Sequence, residues 1–136
     1  MTAVDPDRRA VVWLVDDDTR TSWRLARMLE EDGYSVEVLR DGADAALRFG
    51  HSPLPDVLVT DLMMPGMNGV ALMKEARRWG PTIAVIIMTG YPERVAKDAG
   101  EPGAAPTIFT KPIDYSRLTE ELARLTHAPT VELPST

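Results

Sequence analysis

Four short apolar runs in this chain each end in a residue able to do chemistry. Val11-Val12-Trp13-Leu14-Val15 leads into Asp16-Asp17-Asp18, and Val57-Leu58-Val59-Thr60 leads into Asp61. Ile83 to Met88 ends in Thr89, and Thr107-Ile108-Phe109-Thr110 ends in Lys111. Short apolar runs bounded by Pro, Gly and Asn read as buried strands. In an open α/β sheet, ligands bind beyond the carboxyl ends of the strands. Acids, a hydroxyl and an amine on one sheet edge suit phosphoryl chemistry with a divalent metal. Asp17 and Asp61 can supply two carboxylate ligands to a hard cation such as Mg²⁺, and Asp16 can complete the acid pocket through a water. Lys111 can neutralise the acids at rest and bind a phosphoryl oxygen afterwards. Thr89 can donate its hydroxyl to the same group, and Asp61 can act as the nucleophile that forms an acyl phosphate.

Taken singly, each residue has a plainer role. Asp18 reads as a helix N-cap rather than a ligand. Asp16 and Asp17 could be turn residues, as could Thr89 before Gly90, and Asn68-Gly69 could be only a cap. Such groups at four strand ends, taken together, are what carries the functional reading.

Strand and helix patterns alternate along the chain. Helices are expected over Thr19 to Glu31, from Asp41 as cap through Phe49, from Asn68 as cap to Trp79, and over Tyr115 to Leu125. The segment Tyr91 to Pro106 has room for about two helical turns before Gly100-Glu101-Pro102-Gly103 interrupts it. Tyr34 to Val38 alternates like an edge strand, and Trp13, Trp23 and Trp79 are expected to pack. Five βα units with short connections imply a doubly wound, five-stranded parallel sheet with helices on both faces. Residues 1–8 read as an N-terminal extension, 9–126 as the domain, and 127–136 as a tail or linker start.

Composition narrows the function classes. Of the 136 residues, 44% are apolar and 26% charged, a globular balance. With 15 Lys+Arg against 21 Asp+Glu, the net charge of −6 argues against direct nucleic-acid binding. Without cysteine there is no disulfide, thiolate metal site or Cys nucleophile. No apolar stretch is long enough to span a membrane, and Met1 to Asp5 lacks signal-peptide order, so a cytoplasmic location is expected.

Val15-Asp16-Asp17-Asp18, Thr60-Asp61-Leu62-Met63-Met64-Pro65-Gly66-Met67-Asn68-Gly69, Met88-Thr89-Gly90 and Thr110-Lys111-Pro112 together resemble the receiver domain of two-component response regulators. The likeness runs from about Arg9 to Leu125. It implies a flavodoxin-like receiver fold in which Asp61 accepts a phosphoryl group from a phosphohistidine on a histidine kinase or phosphotransfer protein. It also implies Mg²⁺ held by Asp16, Asp17, Asp61 and the main-chain carbonyl of Met63, with Thr89 and Lys111 on the phosphoryl group. The peptide before Pro112 is expected to be cis, and a homodimer could use the face of the fourth helix, fifth strand and fifth helix.

Two departures from the family pattern stand out. Many receivers carry Tyr or Phe three residues before the lysine; here that switch position is Ile108, with Phe109 expected on the opposite strand face. Output is then expected to depend on ordering the Gly/Pro-rich segment after Tyr91 rather than on a rotating ring. Met63 and Tyr91, two residues after Asp61 and Thr89, flank the path of attacking water in the family. Both are bulky and neither can position a water, so a long-lived acyl phosphate that the chain hydrolyses slowly is expected.

Other readings compete with this switch. A Mg²⁺-dependent phosphohydrolase would need an acid two residues after the nucleophile, and Met63 stands there. A non-phosphorylated interaction module of the same fold usually lacks an acid or the lysine, and this chain has all of them.

Overall fold

In the computed structural model, residues 8–51, 53–98 and 105–126 are described. The elements are β1 (Val11–Val15), α1 (Thr19–Glu31), β2 (Ser35–Leu39), α2 (Gly42–Arg48), β3 (Val57–Asp61), α3 (Gly69–Trp79), β4 (Ala84–Thr89), α4 (Pro92–Asp98), β5 (Thr107–Thr110) and α5 (Tyr115–Thr126). All five strands join one parallel sheet in the order β2-β1-β3-β4-β5, so the alternating run is indeed an edge strand.

The sheet is doubly wound because its central strands are apolar at consecutive positions, and the pleat sends alternate residues to opposite faces. Trp13, Val15, Leu58, Val85 and Ile87 pack with Phe49, Leu72, Met73, Ala76 and Val95 of the α2, α3 and α4 layer. Val12, Leu14, Val57, Val59, Ile86 and Met88 pack with Ala26, Leu29, Leu118 and Leu122 of α1 and α5. Trp13 stacks on Phe49 at 5.0 Å between ring centroids, which fixes α2 over β1.

Helix starts follow the expected caps. The side chains of Asp18, Asp41 and Asn68 accept hydrogen bonds from the backbone N–H of Thr21, Asp44 and Ala71. Boundaries shift by a residue where a turn competes with the ladder. Ile83, expected in β4, instead donates its N–H to the Gly80 carbonyl, yet stays buried. Phe49 follows α2 as its C-cap.

The tryptophan expectation needs correcting. Trp13 is buried, but Trp23 and Trp79 are 60% and 49% exposed. The buried residues of α1 are Ser22, Ala26 and Leu29, small near its start, so the helix lies close to the sheet and the large ring turns outward. Trp79 donates its indole N–H to Glu75 on the same helix. The Gly100-Glu101-Pro102-Gly103 break, residues 1–7 and the tail over 127–136 lie outside the described residues. Arg8, placed in the N-terminal extension, pairs with Asp56, which also accepts from the Val11 N–H.

The edge strand β5 is tied to α5 by Glu121, which accepts from the Thr107 hydroxyl at 2.7 Å and pairs with Arg124. The Arg124 hydrogen bond, helped by Thr107, holds this carboxyl below the ordinary glutamate value of 4.5. A depressed acid contributes stability above its unfolded value and loses it as pH falls through the lower folded value. Glu121→Gln is therefore expected to cost about 1 kcal/mol or less at pH 7. The difference from wild type should vanish well below pH 4.5 in urea unfolding; a difference that persists there would count against this account.

Candidate functional site

Strand order reverses between β1 and β3, which lie side by side with their carboxyl ends at the same edge. Asp16 follows β1 and Asp61 ends β3, so the topology brings the two acids to the crevice where α/β sheets bind ligands. The Asp16 N–H donates to the Leu39 carbonyl of β2, and one carboxylate oxygen accepts from the Asp18 N–H at 2.9 Å. Asp18 itself is the α1 cap, taking both the N–H and hydroxyl of Thr21.

Asp16, Asp17 and Asp61 each offer a carboxylate oxygen, all within 4.8 Å of one another. Lys111 reaches into the same pocket, with Nζ 3.2 Å from Asp61 and 3.8 Å from Asp16. Burial raises the Asp16 carboxyl above its ordinary value of 3.8, and the neighbouring charges of Asp61 and Asp17 push the same way. The Asp18 N–H and the Lys111 ammonium oppose that rise without cancelling it. Three crowded carboxylates with one ammonium remain short of positive charge, and an all-oxygen donor set of this kind fits a hard divalent cation.

The other two strands complete the edge. Thr89 is buried, and its Oγ accepts from the Tyr91 N–H at 2.9 Å. A hydroxyl that accepts through a lone pair keeps its proton for another acceptor. The Lys111 N–H donates to the Thr89 carbonyl, and the Lys111–Pro112 peptide is cis. Met63 follows on the β3–α3 turn with its side chain half-exposed. Ile108 pairs with Ile87 and is 37% exposed, while Phe109 turns to the α1/α5 face. Beside the acids lies a groove of about 560 Å³ between α1 and the β5–α5 turn, whose lining includes Leu25, Met28, Pro112 and Tyr115.

Two contributors escaped the sequence reading. Gly69, read in the sequence as part of a turn or helix cap, abuts the backbone of Asp61 itself. A Cβ there would lie 2.5 Å from the Asp61 carbonyl oxygen and 3.1 Å from the Leu62 Cα. Backbone cannot swing aside as a side chain can, so Gly69→Ala is expected to shift the turn after Asp61 and cost about 1–3 kcal/mol. Urea unfolding measures the cost, and an unchanged midpoint would show that the turn relaxes freely. Arg94 was the second omission; it spans the β3–α3 and β4–α4 turns, with Nη1 3.9 Å from the Met63 sulfur and its guanidinium 4.9 Å from the Tyr91 ring centroid.

Known proteins are similar to this chain in sequence and in fold. A family model, described as the response regulator receiver domain, matches residues 12–123. The chain is 37% identical over 107 residues to the DNA-binding transcriptional regulator NtrC of Escherichia coli K12, covering 79% of this chain and 23% of that protein. It is 34% identical over 114 residues to the response regulator MprA of Mycobacterium avium, covering 84% of this chain and 48% of the relative. The chain thus spans less than half the length of these curated relatives. Among solved structures, the receiver domain of the hybrid histidine kinase CckA superposes with a TM-score of 0.73 at 28% identity, over 87% of this chain and all of that one. The chemotaxis protein CheY4 of Vibrio cholerae gives 0.74 at 27% identity, over 87% of this chain and 99% of that one. By its matched length, its strand order and its edge of acids, threonine and lysine, this chain belongs to the response regulator receiver domain family.

Proposed function

We propose that the chain is a phosphoryl-accepting switch that takes its signal on Asp61 from a phosphohistidine of a histidine kinase or phosphotransfer protein. One observation carries this reading: the Asp61 carboxylate ends a buried central strand 3.2 Å from Lys111, amid the carboxylates of Asp16 and Asp17. Asp61 Oδ attacks phosphorus, the new P–O bond forms as the P–N bond breaks, and the imidazole leaves with the electron pair and takes up a proton. Asp16, Asp17, Asp61 and the Met63 carbonyl are the residues to hold Mg²⁺. When bound, Mg²⁺ supplies the positive charge that lets an anionic phosphoryl group approach an acidic pocket. Lys111 exchanges its carboxylate partners for a phosphoryl oxygen, and Thr89 donates its hydroxyl to another.

Because Thr89 Oγ also holds the Tyr91 N–H, movement of that hydroxyl pulls on the start of α4. Ile108 has no ring to follow it inward, so the change passes through the β4–α4 segment to the α4–β5–α5 face, where a partner or second copy binds. The groove between α1 and the β5–α5 turn adjoins Lys111 and suits the approach of the phosphodonor's surface. The chain slowly hydrolyses its own acyl phosphate and turns over no external substrate, acting in the cytoplasm.

The test is intact-protein mass after incubation with Mg²⁺ and a small phosphodonor. A gain of one phosphoryl group, lost on treatment with hydroxylamine and absent when EDTA is present, supports an acyl phosphate. A folded protein that gains nothing would overturn the reading.

A further inference from the structure

Met63 and Tyr91 are large side chains, 51% and 53% exposed, with no part in either core cluster. They leave the sheet from adjacent strands, two residues beyond Asp61 and Thr89 respectively. The Leu62 N–H donates to the Met88 carbonyl, which holds the two turns side by side beyond the strand ends that carry Asp61 and Thr89. Arg94 then joins them, placing its guanidinium against the Met63 sulfur and over the Tyr91 ring. Its own N–H donates to the Tyr91 carbonyl, so backbone and side chain both fasten it to that turn.

We propose that Arg94 is a positioning residue that ties Met63 to Tyr91 across the two turns and thereby restricts the approach of water to a phosphorylated Asp61. The proposal rests on the phosphoacceptor reading above. Loss of the signal needs a water oxygen to attack phosphorus in line with the Asp61 Oδ–P bond, from the side facing away from the strand end. The P–O bond to Asp61 breaks, the carboxylate is regenerated, and inorganic phosphate leaves with the water's oxygen. On this reading that approach passes the two turns that directly follow β3 and β4 and carry Met63 and Tyr91. Untied, each side chain samples several rotamers and opens that approach part of the time. The guanidinium limits that sampling by holding one with each part of its plane.

A cation–π contact at an exposed site sets the scale, and Arg94→Ala should speed acyl-phosphate loss roughly two- to fivefold. Tyr91→Ala should do the same, the double variant should add little to either single one, and Tyr91→Phe, which keeps the ring, should behave as wild type. Arg94 and Tyr91 are both exposed, so urea midpoints should not move, which separates a role at these turns from one in folding.

The experiment loads each full-length variant with Mg²⁺ and a small phosphodonor, removes the donor, and follows loss of the added mass. Faster loss in Arg94→Ala and Tyr91→Ala, non-additive when combined, is the expected result. Equal or slower loss in Arg94→Ala overturns this inference while leaving the phosphoacceptor reading intact. Wild-type protein that never gains mass overturns both.

Discussion

Asp61→Asn will take up no phosphoryl group under conditions that load the wild type fully. The amide keeps the shape and an acceptor oxygen, so Lys111 still has a partner at the end of β3, but the amide oxygen is a far weaker nucleophile than the carboxylate. The variant also removes one of three mutually repelling charges. Asp61 is among the causes that raise the Asp16 carboxyl, so that carboxyl should fall toward its ordinary value while burial still holds it above. Lost attraction to Lys111 and lost repulsion from Asp16 and Asp17 oppose each other, and the protein should unfold near the wild-type urea midpoint. Intact mass and unfolding together make the check. A variant that stays folded and still gains a phosphoryl group would place the acceptor elsewhere.

Lys111→Ala should split two properties that a collapsed pocket would lose together. The ammonium sits 3.2 Å from Asp61 and 3.8 Å from Asp16. A divalent cation held by the same acids would repel the ammonium. Two unit charges about 4 Å apart interact by about 1 kcal/mol even at the dielectric of water, and a divalent ion doubles that, so removing the ammonium should tighten Mg²⁺ binding roughly thirtyfold. Phosphoryl uptake should instead slow by roughly a hundredfold or more, the usual loss when one preorganised donor to a developing anion is deleted. Metal-free, the variant should be less stable than wild type because buried acids lose their counter-charge, and Mg²⁺ should restore much of the difference. Calorimetric Mg²⁺ titration and the mass time course measure the two arms. Weakened Mg²⁺ binding in a folded variant would show that Lys111 shapes the pocket more than it charges it.

Much of this was legible in the sequence because strong local signals agreed with the global arrangement. Thr19–Glu31 was readable to the residue, since Asp18 can cap only a helix that starts beside it and Gly33 ends the pattern. The all-parallel sheet followed from runs such as Ile83 to Met88, which are apolar at every position and must be covered on both faces. The site was legible because its members sit at strand ends, where chain order and spatial position coincide. The outward turn of Trp23 was not, because helical spacing marks a face without saying which face meets the sheet. There Ser22 and Ala26 win the inner side by being small. Gly69 looked like any turn glycine until the Asp61 carbonyl was found against it. Arg94 meets Met63 across 31 positions, and no periodicity links a cation on a short helix to a thioether on a distant turn.

The order of the strands has a consequence for a chain still being made. β1 and β3 pair directly, so the two acids can meet as soon as the first half of the domain has emerged. The lysine that offsets them arrives directly after β5, a four-residue edge strand that pairs with β4 alone. Domains emerge N-terminal end first during synthesis. Asp16 and Asp61 are therefore both made well before Lys111, the cation that pairs with them in the folded domain. The last strand to join is in this sense the one that arms the molecule.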